Sequence, residues 1–242
     1  MWGTSEEYEM STGRKAATKR NEKPQSLTDQ AYSDLREEII TCRLRPGTEV
    51  GEQELASRLN MSKTPVRESL VRLTLEGLVE AFPRRGYRIT PVTVKDITDI
   101  FTVRKALETV AAELAAVRMS EEELDALKTL ADQTYGQDSS LPVLEFVSAN
   151  NIFHAAIAEG ARVPRLRALI TGYLEECTRL FHMGATIRDV TPETQQDHTR
   201  IIDALCSRDP AASREAIALH TENTRRGLIS ALISDEASPL EL

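Results

Sequence analysis

Long apolar runs are absent from this chain of 242 residues. No stretch approaches the ~20 apolar residues that cross a bilayer, and the first residues, with Glu6, Glu7 and Glu9, lack the apolar core of a secretion signal. A cytoplasmic protein is expected. Cysteine is scarce: Cys42, Cys177 and Cys206 are odd in number, scattered and free of any CxxC, which argues against a disulfide framework and fits small core side chains in a reducing compartment. HExxH and recognisable nucleophile motifs are missing too, which weighs against a metallohydrolase. What remains is an ordinary composition, 40% hydrophobic and 28% charged, long enough for two domains with a sizeable core.

The net charge of −8 suits a nucleic-acid binder poorly until it is divided. Residues 1–92 hold 15 Lys and Arg against 14 Asp and Glu, or +1; residues 93–242 hold 15 against 24, or −9. Local patches rather than net charge set phosphate affinity, so a weakly basic reader module joined to an acidic partner domain fits this division.

Cations cluster around the stretch from Glu52 to Leu78. Leu55, Ala56 and Leu59 have helical spacing, Asn60-Met61 breaks the pattern, and Val66, Leu70 and Leu73 resume it. Ser62 or Thr64 can cap the second helix, and Pro65 suits its first turn, where its missing N–H is not needed. Two short helices joined by a tight turn make a helix-turn-helix, with Lys63, Arg67 and Arg72 on the outer face of the second helix. Leu78–Phe82 and Tyr87–Thr90 read as strands joined by Pro83-Arg84-Arg85-Gly86, a wing with two arginines at its tip.

Residues 27–91 resemble the winged-helix domain of GntR-type bacterial repressors. The resemblance is carried by Arg45-Pro46-Gly47, Glu52, Leu55-Ala56, Leu59, the run from Met61 to Leu70, Leu73 and Gly77-Leu78-Val79. It implies DNA contacts from Ser62, Lys63, Thr64 and Arg67, with Gly86 entering the minor groove at the wing tip. Two positions depart from the family pattern, Lys63 and Gln53, where Arg is usual. Lys lacks the planar fork of Arg, so base preference is expected to differ. Arg36, Arg45, Arg72, Arg84 and Arg85 complete the expected set of DNA contacts.

On either side of this module lie a polar tail, residues 1–26, and a helix from Leu27 marked by Ala31, Leu35 and Ile39. The winged helix is placed at 27–92, a linker at Pro91–Val94, a helical domain at 93–234 and a C-terminal tail at 235–242. Beyond the linker only helices are expected: Val94–Met119, one capped by Ser120, then about 142–159, 164–184, 192–208 and 210–232, with a Pro at each later break. The expected fold is mainly α: a winged helix-turn-helix followed by an all-α antiparallel bundle.

Asn150 and His154 lie four apart on one helix, while His198 and His220 lie on two later ones. Packing that brings them together would offer three imidazoles and an amide oxygen to a divalent, zinc-like metal ion. Residues 95–230 resemble the FCD effector domain of the FadR-like branch of the same family. The matching motifs are Arg104–Glu108, Asn150–His154, Asp197–Ala204 and Ala212–His220. The resemblance implies that His154, His198 and His220 bind a metal, that a small carboxylic acid effector sits on it, and that Arg104 clamps the carboxylate. Asn150 stands where the family has Asp and removes one anion facing the metal. Three arrangements remain open: metal retained through Asn150, metal bound only together with an anionic effector, or a metal-free pocket in which the histidines hold the acid. His182 lies outside the motif and is read as structural.

The expected protein is a homodimeric DNA-binding regulator, a repressor controlled by a small organic acid, because one short recognition helix reads too few base pairs alone. A metal-sensing regulator is the alternative, and a metal-dependent hydrolase a more remote one.

Overall fold

A computed structural model describes residues 26–135, 142–185, 191–234 and 240–241. The expected N-terminal tail lies outside these residues, apart from Ser26.

The N-terminal module begins with α1 (Leu27–Ile40), which Ser26 caps by accepting the Asp29 N–H at 3.1 Å. Its buried stripe of Ala31, Leu35 and Ile39 packs on α3 (Lys63–Leu75), while α2 (Glu52–Arg58) supplies Leu55 and Ala56 to the same core. Between α2 and α3 the chain turns at Asn60, whose φ of 53° is left-handed. Ser62 occupies the position before α3, but its side chain makes no capping bond.

Three strands, β1 (Glu49–Val50), β2 (Val79–Phe82) and β3 (Gly86–Ile89), form an antiparallel sheet in the order β1-β3-β2. The wing hairpin matches the sequence reading. β1 was not anticipated, because a two-residue strand shows no alternation and exists through its pairing of Val50 with Tyr87. That pairing brings Gly86 close to the β1 backbone: its φ is 99°, and a Cβ there would lie 2.9 Å from the Val50 carbonyl oxygen.

Beyond the linker, the expectation of helices alone needs one correction. β4 (Val92–Thr93) pairs in parallel with β5 (Leu240–Glu241), which falls within the expected C-terminal tail. Two residues at each end of a domain carry no local strand signal; only the partner strand defines them.

The six helices otherwise fall close to their expected places. They are α4 (Val94–Arg118), α5 (Glu121–Tyr135), α6 (Val143–Gly160), α7 (Pro164–Ala185), α8 (Thr191–Cys206) and α9 (Pro210–Ser234). Thr93 and Asp96 form a reciprocal capping box that starts α4 at the linker. α4 is the central helix, packed along α9 and against α6, α7 and α8. Ala111, Ala112, Ala115 and Ala116 let its neighbours approach closely, and Phe153, Ile157, Ile201, Leu205 and Ile217 fill the core around them.

α4 also buries charge. The Arg104 guanidinium, 2% exposed, donates from Nε to Glu108 Oε1 at 2.7 Å, and Glu108 is 3% exposed. Deep ion pairs are costly to break because the remaining charge has no partner. Arg104→Met is therefore expected to destabilise the protein by about 3–5 kcal/mol in urea unfolding, with part of the loss recovered in Arg104→Met/Glu108→Gln. Gly86→Ala should cost about 1–3 kcal/mol by the same measurement, since the left-handed backbone and the Val50 carbonyl both oppose a Cβ.

Candidate functional site

The sequence placed DNA contacts on α3 and the wing, and the structure joins part of that set around one groove. Glu52, Gln53, Lys63, Phe82, Arg84 and Gly86 line it. Ser62, Lys63, Thr64 and Arg67 are all exposed at the start of α3, and Arg84 and Arg85 are exposed at the wing tip. Arg67 is not free: Nε and Nη2 donate to the two Glu52 carboxylate oxygens at 2.8 and 2.7 Å. This fork holds the Glu52 carboxyl below its usual range and fixes the plane of the guanidinium. Glu52 belongs to the matched motif, but its partner could be recognised only in three dimensions.

Arg36 and Arg72 do not line this groove. Arg72 donates to Asp29 at 2.9 Å and lies 3.7 Å above the Tyr32 ring. Arg36 faces Glu76 at 3.7 Å and, across the domain boundary, Glu175 of α7 at 3.9 Å. Arg45 is exposed in the turn after α1.

In the second domain α6, α8 and α9 bring His154, His198 and His220 together. All three are buried, and one ligand nitrogen from each lies within 4.8 Å of the others. Phe153 stacks on His198 at 3.9 Å between centroids and so supports that ring. Behind His154, Glu108 Oε2 stands 2.8 Å from Nδ1; behind His220, Asp197 Oδ2 stands 3.5 Å from Nδ1. Neither ring is aligned well enough for a full hydrogen bond, so these are carboxylate–imidazole pairs by distance. Both still favour a proton on Nδ1 and turn the Nε2 lone pairs inward.

Those two Nε2 atoms face one another at 3.2 Å. At that separation either one ring donates its Nε2–H to the other or a cation lies between two lone pairs. Ligand nitrogens held ~2.1 Å from a tetrahedral zinc ion stand about 3.4 Å apart, so the spacing of this one pair is close to a metal's bite. His154 and His198 are in the ligating form. Burial pushes His154 down to about 4 despite Glu108, and burial with its histidine neighbours puts His198 well below the usual range. Sequence reasoning did not assign Glu108 and Asp197 this supporting role, although both lie inside the motifs that carried the resemblance.

Asn150 is 5% exposed, and its Nδ2 is buried with no hydrogen-bond partner. It lines a cavity of about 230 Å³ whose wall also includes Phe146, Asp197, Arg200, Asn223 and Leu228. Asp197 accepts from Arg200 Nη1 at 2.9 Å and from Asn223 Nδ2 at 3.1 Å. Asp197 thus stands between the cavity, which it lines, and the His220 imidazole, 3.5 Å away. Arg104 does not line the cavity. Its Nη1 donates to Cys177 Sγ at 3.4 Å, and its Nε is committed to Glu108. Burial pushes the Glu108 carboxyl up, but Arg104 and His154 together hold it well below its usual range. His182 is buried on α7, outside the cluster.

Comparison with known proteins agrees with both halves. Residues 27–89 match the bacterial regulatory proteins of the gntR family, and residues 99–223 match the FCD domain. An uncharacterised HTH-type transcriptional regulator of Bacillus subtilis, YdhC, is 28% identical over 204 residues, covering 82% of this chain and 89% of its own. The HTH-type transcriptional repressor RspR of Escherichia coli is 26% identical over 198 residues, covering 82% and 87%. The solved structure of E. coli McbR/YncC shares the fold, with a TM-score of 0.64 at 23% identity over 85% of this chain and 98% of that one. A reader module with an exposed cationic helix, joined to a helical domain with a buried histidine centre, identifies the chain as a DNA-binding transcriptional regulator of the GntR family with an FCD domain, and not an enzyme.

Proposed function

We propose that the chain is a homodimeric cytoplasmic repressor whose operator affinity is set by a small organic acid bound beside a divalent metal. The observation that carries this reading is the inward-facing pair of His154 and His220 Nε2 atoms at 3.2 Å, each imidazole backed by a carboxylate. His154, His198, His220 and the Asn150 side-chain oxygen would hold the ion, a Lewis acid toward carboxylate oxygens. The effector would enter through the adjoining cavity, whose one arginine among the described residues is Arg200. Arg104 then acts as a strut rather than a clamp, since a clamp would require its pairs with Glu108 and Cys177 to open.

Support for a dimer comes from α4. Val103, Leu107, Val110, Leu114 and Val117 repeat at alternating four- and three-residue steps, and Val103, Val110 and Val117 remain 37, 41 and 62% exposed. A second copy laid along this stripe would bury it and pair two reader modules. In each module Gln53, Ser62, Lys63, Thr64 and Arg67 would read the major groove, while Arg84, Arg85 and Gly86 would track the minor groove and Arg45 a phosphate. Arg36 and Arg72 contribute only if their carboxylate partners release them.

The effector signal has a short route to DNA. Arg104 bonds Cys177 of α7, and two residues on, Arg179 Nη2 donates to the Thr90 carbonyl at the domain junction. A change at the histidine centre would thus bias the linker through α7. The RspR relative is a transcriptional repressor, which gives the sign adopted here.

A mobility-shift titration on the chain's own promoter region tests the reading. Lys63→Ala should weaken binding by about 1–3 kcal/mol, roughly five- to 150-fold, and affinity should fall steeply with salt. Affinity independent of salt, or no promoter binding, refutes it. Val110→Glu should shift the chain from dimer to monomer in sedimentation velocity and lower DNA affinity with it; an unchanged dimer would place the interface elsewhere.

A further inference from the structure

A second cleft, of about 600 Å³, lies where the reader module meets the helical domain, lined by α1, the linker, the start of α4 and α7. It shares no lining residue with the cavity beside the histidines. Most of its charges are already engaged. Asp96 accepts the Thr93 N–H in the capping box, Asp99 pairs with Lys95, and Glu76 and Glu175 face Arg36 at 3.7 and 3.9 Å.

Two opposite charges remain, both on α7. Arg179 is 6% exposed and, among the described residues, pairs with no carboxylate. Its Nη2 donates to the Thr90 carbonyl and its Nε is enclosed without a partner; Nη1 also has none but is not enclosed, so it is the atom that reaches the cleft. Glu176 is exposed at the same cleft and pairs with no cation among the described residues, and burial alone raises its carboxyl above the usual range. The two residues lie three apart on one helix, a spacing at which side chains are neighbours, yet the Thr90 carbonyl holds the guanidinium instead. A buried guanidinium without an anion is unfavourable, which favours a carboxylate as its guest. A simple acid would meet Arg179 but oppose the carboxylates on the same walls, and a simple amine would leave Arg179 unmet. A zwitterion answers both. The rest of the wall is apolar, with Ile40, Leu78, Ile100 and Leu180.

We propose that this interdomain cleft binds a neutral α-amino acid with an apolar side chain: its carboxylate on Arg179 Nη1, its ammonium group on Glu176, and its side chain against the apolar wall. The site is separate from the histidine centre and does not rest on the metal reading given above. A ligand held here touches the reader module and the bundle at once, at the junction that Arg179 and Thr90 form. It gives the protein a second input, coupled to DNA through the linker and not through the bundle core.

The test is calorimetric titration of the full chain with L-leucine, beside 3-methylbutylamine, which lacks the carboxylate, and 4-methylpentanoate, which lacks the ammonium group. Leucine should bind once per chain, and each analogue at least about tenfold more weakly, since each forfeits a hydrogen bond to a charged group. Glu176→Gln, a near-isosteric change at an exposed position that leaves the fold intact, should weaken leucine by about tenfold or more, as should Arg179→Gln. Added EDTA should change nothing, because the site holds no metal. The proposal is overturned if leucine, valine and phenylalanine all fail to bind, or if 4-methylpentanoate binds as tightly as leucine. Leucine binding that Glu176→Gln leaves intact, or that EDTA abolishes, overturns it as well, since the ligand would then sit elsewhere.

Discussion

An arginine and a glutamate buried side by side on one helix govern the C-terminal domain. Once α4 carries Arg104 and Glu108 into the interior, each requires the other at 2.7 Å, and the remaining lone pairs and protons must also find partners. Glu108 Oε2 stands 2.8 Å from His154 Nδ1, and Arg104 donates to the Cys177 thiol of α7. The requirement thus fixes the ring orientation of a candidate metal ligand and the register of α7 against α4. The small residues further along α4, Ala111 to Ala116, let this happen at close range. A packed alanine face and a satisfied ion pair together place the histidine centre, which no single helix could assemble.

The reader module works under an analogous constraint. Glu52 and Arg67 lie on successive helices of the helix-turn-helix, and their forked pair ties α2 to α3. Both are exposed enough that the pair adds little to stability, so its consequence is geometric: it orients the recognition helix's guanidinium before DNA arrives. Gly86 has a comparable part in the wing, where its left-handed backbone allows β3 to lie against Val50.

Much of this was legible in the sequence because the signals were local. Leu55, Leu59, Val66 and Leu70 announce two helices by spacing, Asn60 announces the turn between them, and the prolines and glycines mark each break in the bundle. The three histidines that converge could be named in advance because each lies in a motif of the resemblance. What stayed hidden was relational. β1, β4 and β5 exist only through distant partners. Glu108 follows Arg104 by four residues, a spacing that on a helix surface makes a pair contributing little. Only packing reveals it as a buried strut shared with His154 and Cys177. The roles of Glu52 and Asp197 likewise depend on which side chain arrives opposite them.

The Arg179 contact with the Thr90 carbonyl has a consequence for how such a protein finds its operator. Ile89 ends the last strand of the wing and α4 begins at Val94, so the clamp falls immediately after the reader module with almost no slack chain on either side. A slack tether would let each module sample many separations and tolerate variable spacing between half-sites. In the proposed dimer, a tether clamped at its first residue would transfer the choice of spacing to the helical domain. Changing the spacing in a descendant of this protein would then require repacking that domain, while the base contacts on α3 remain free to change independently.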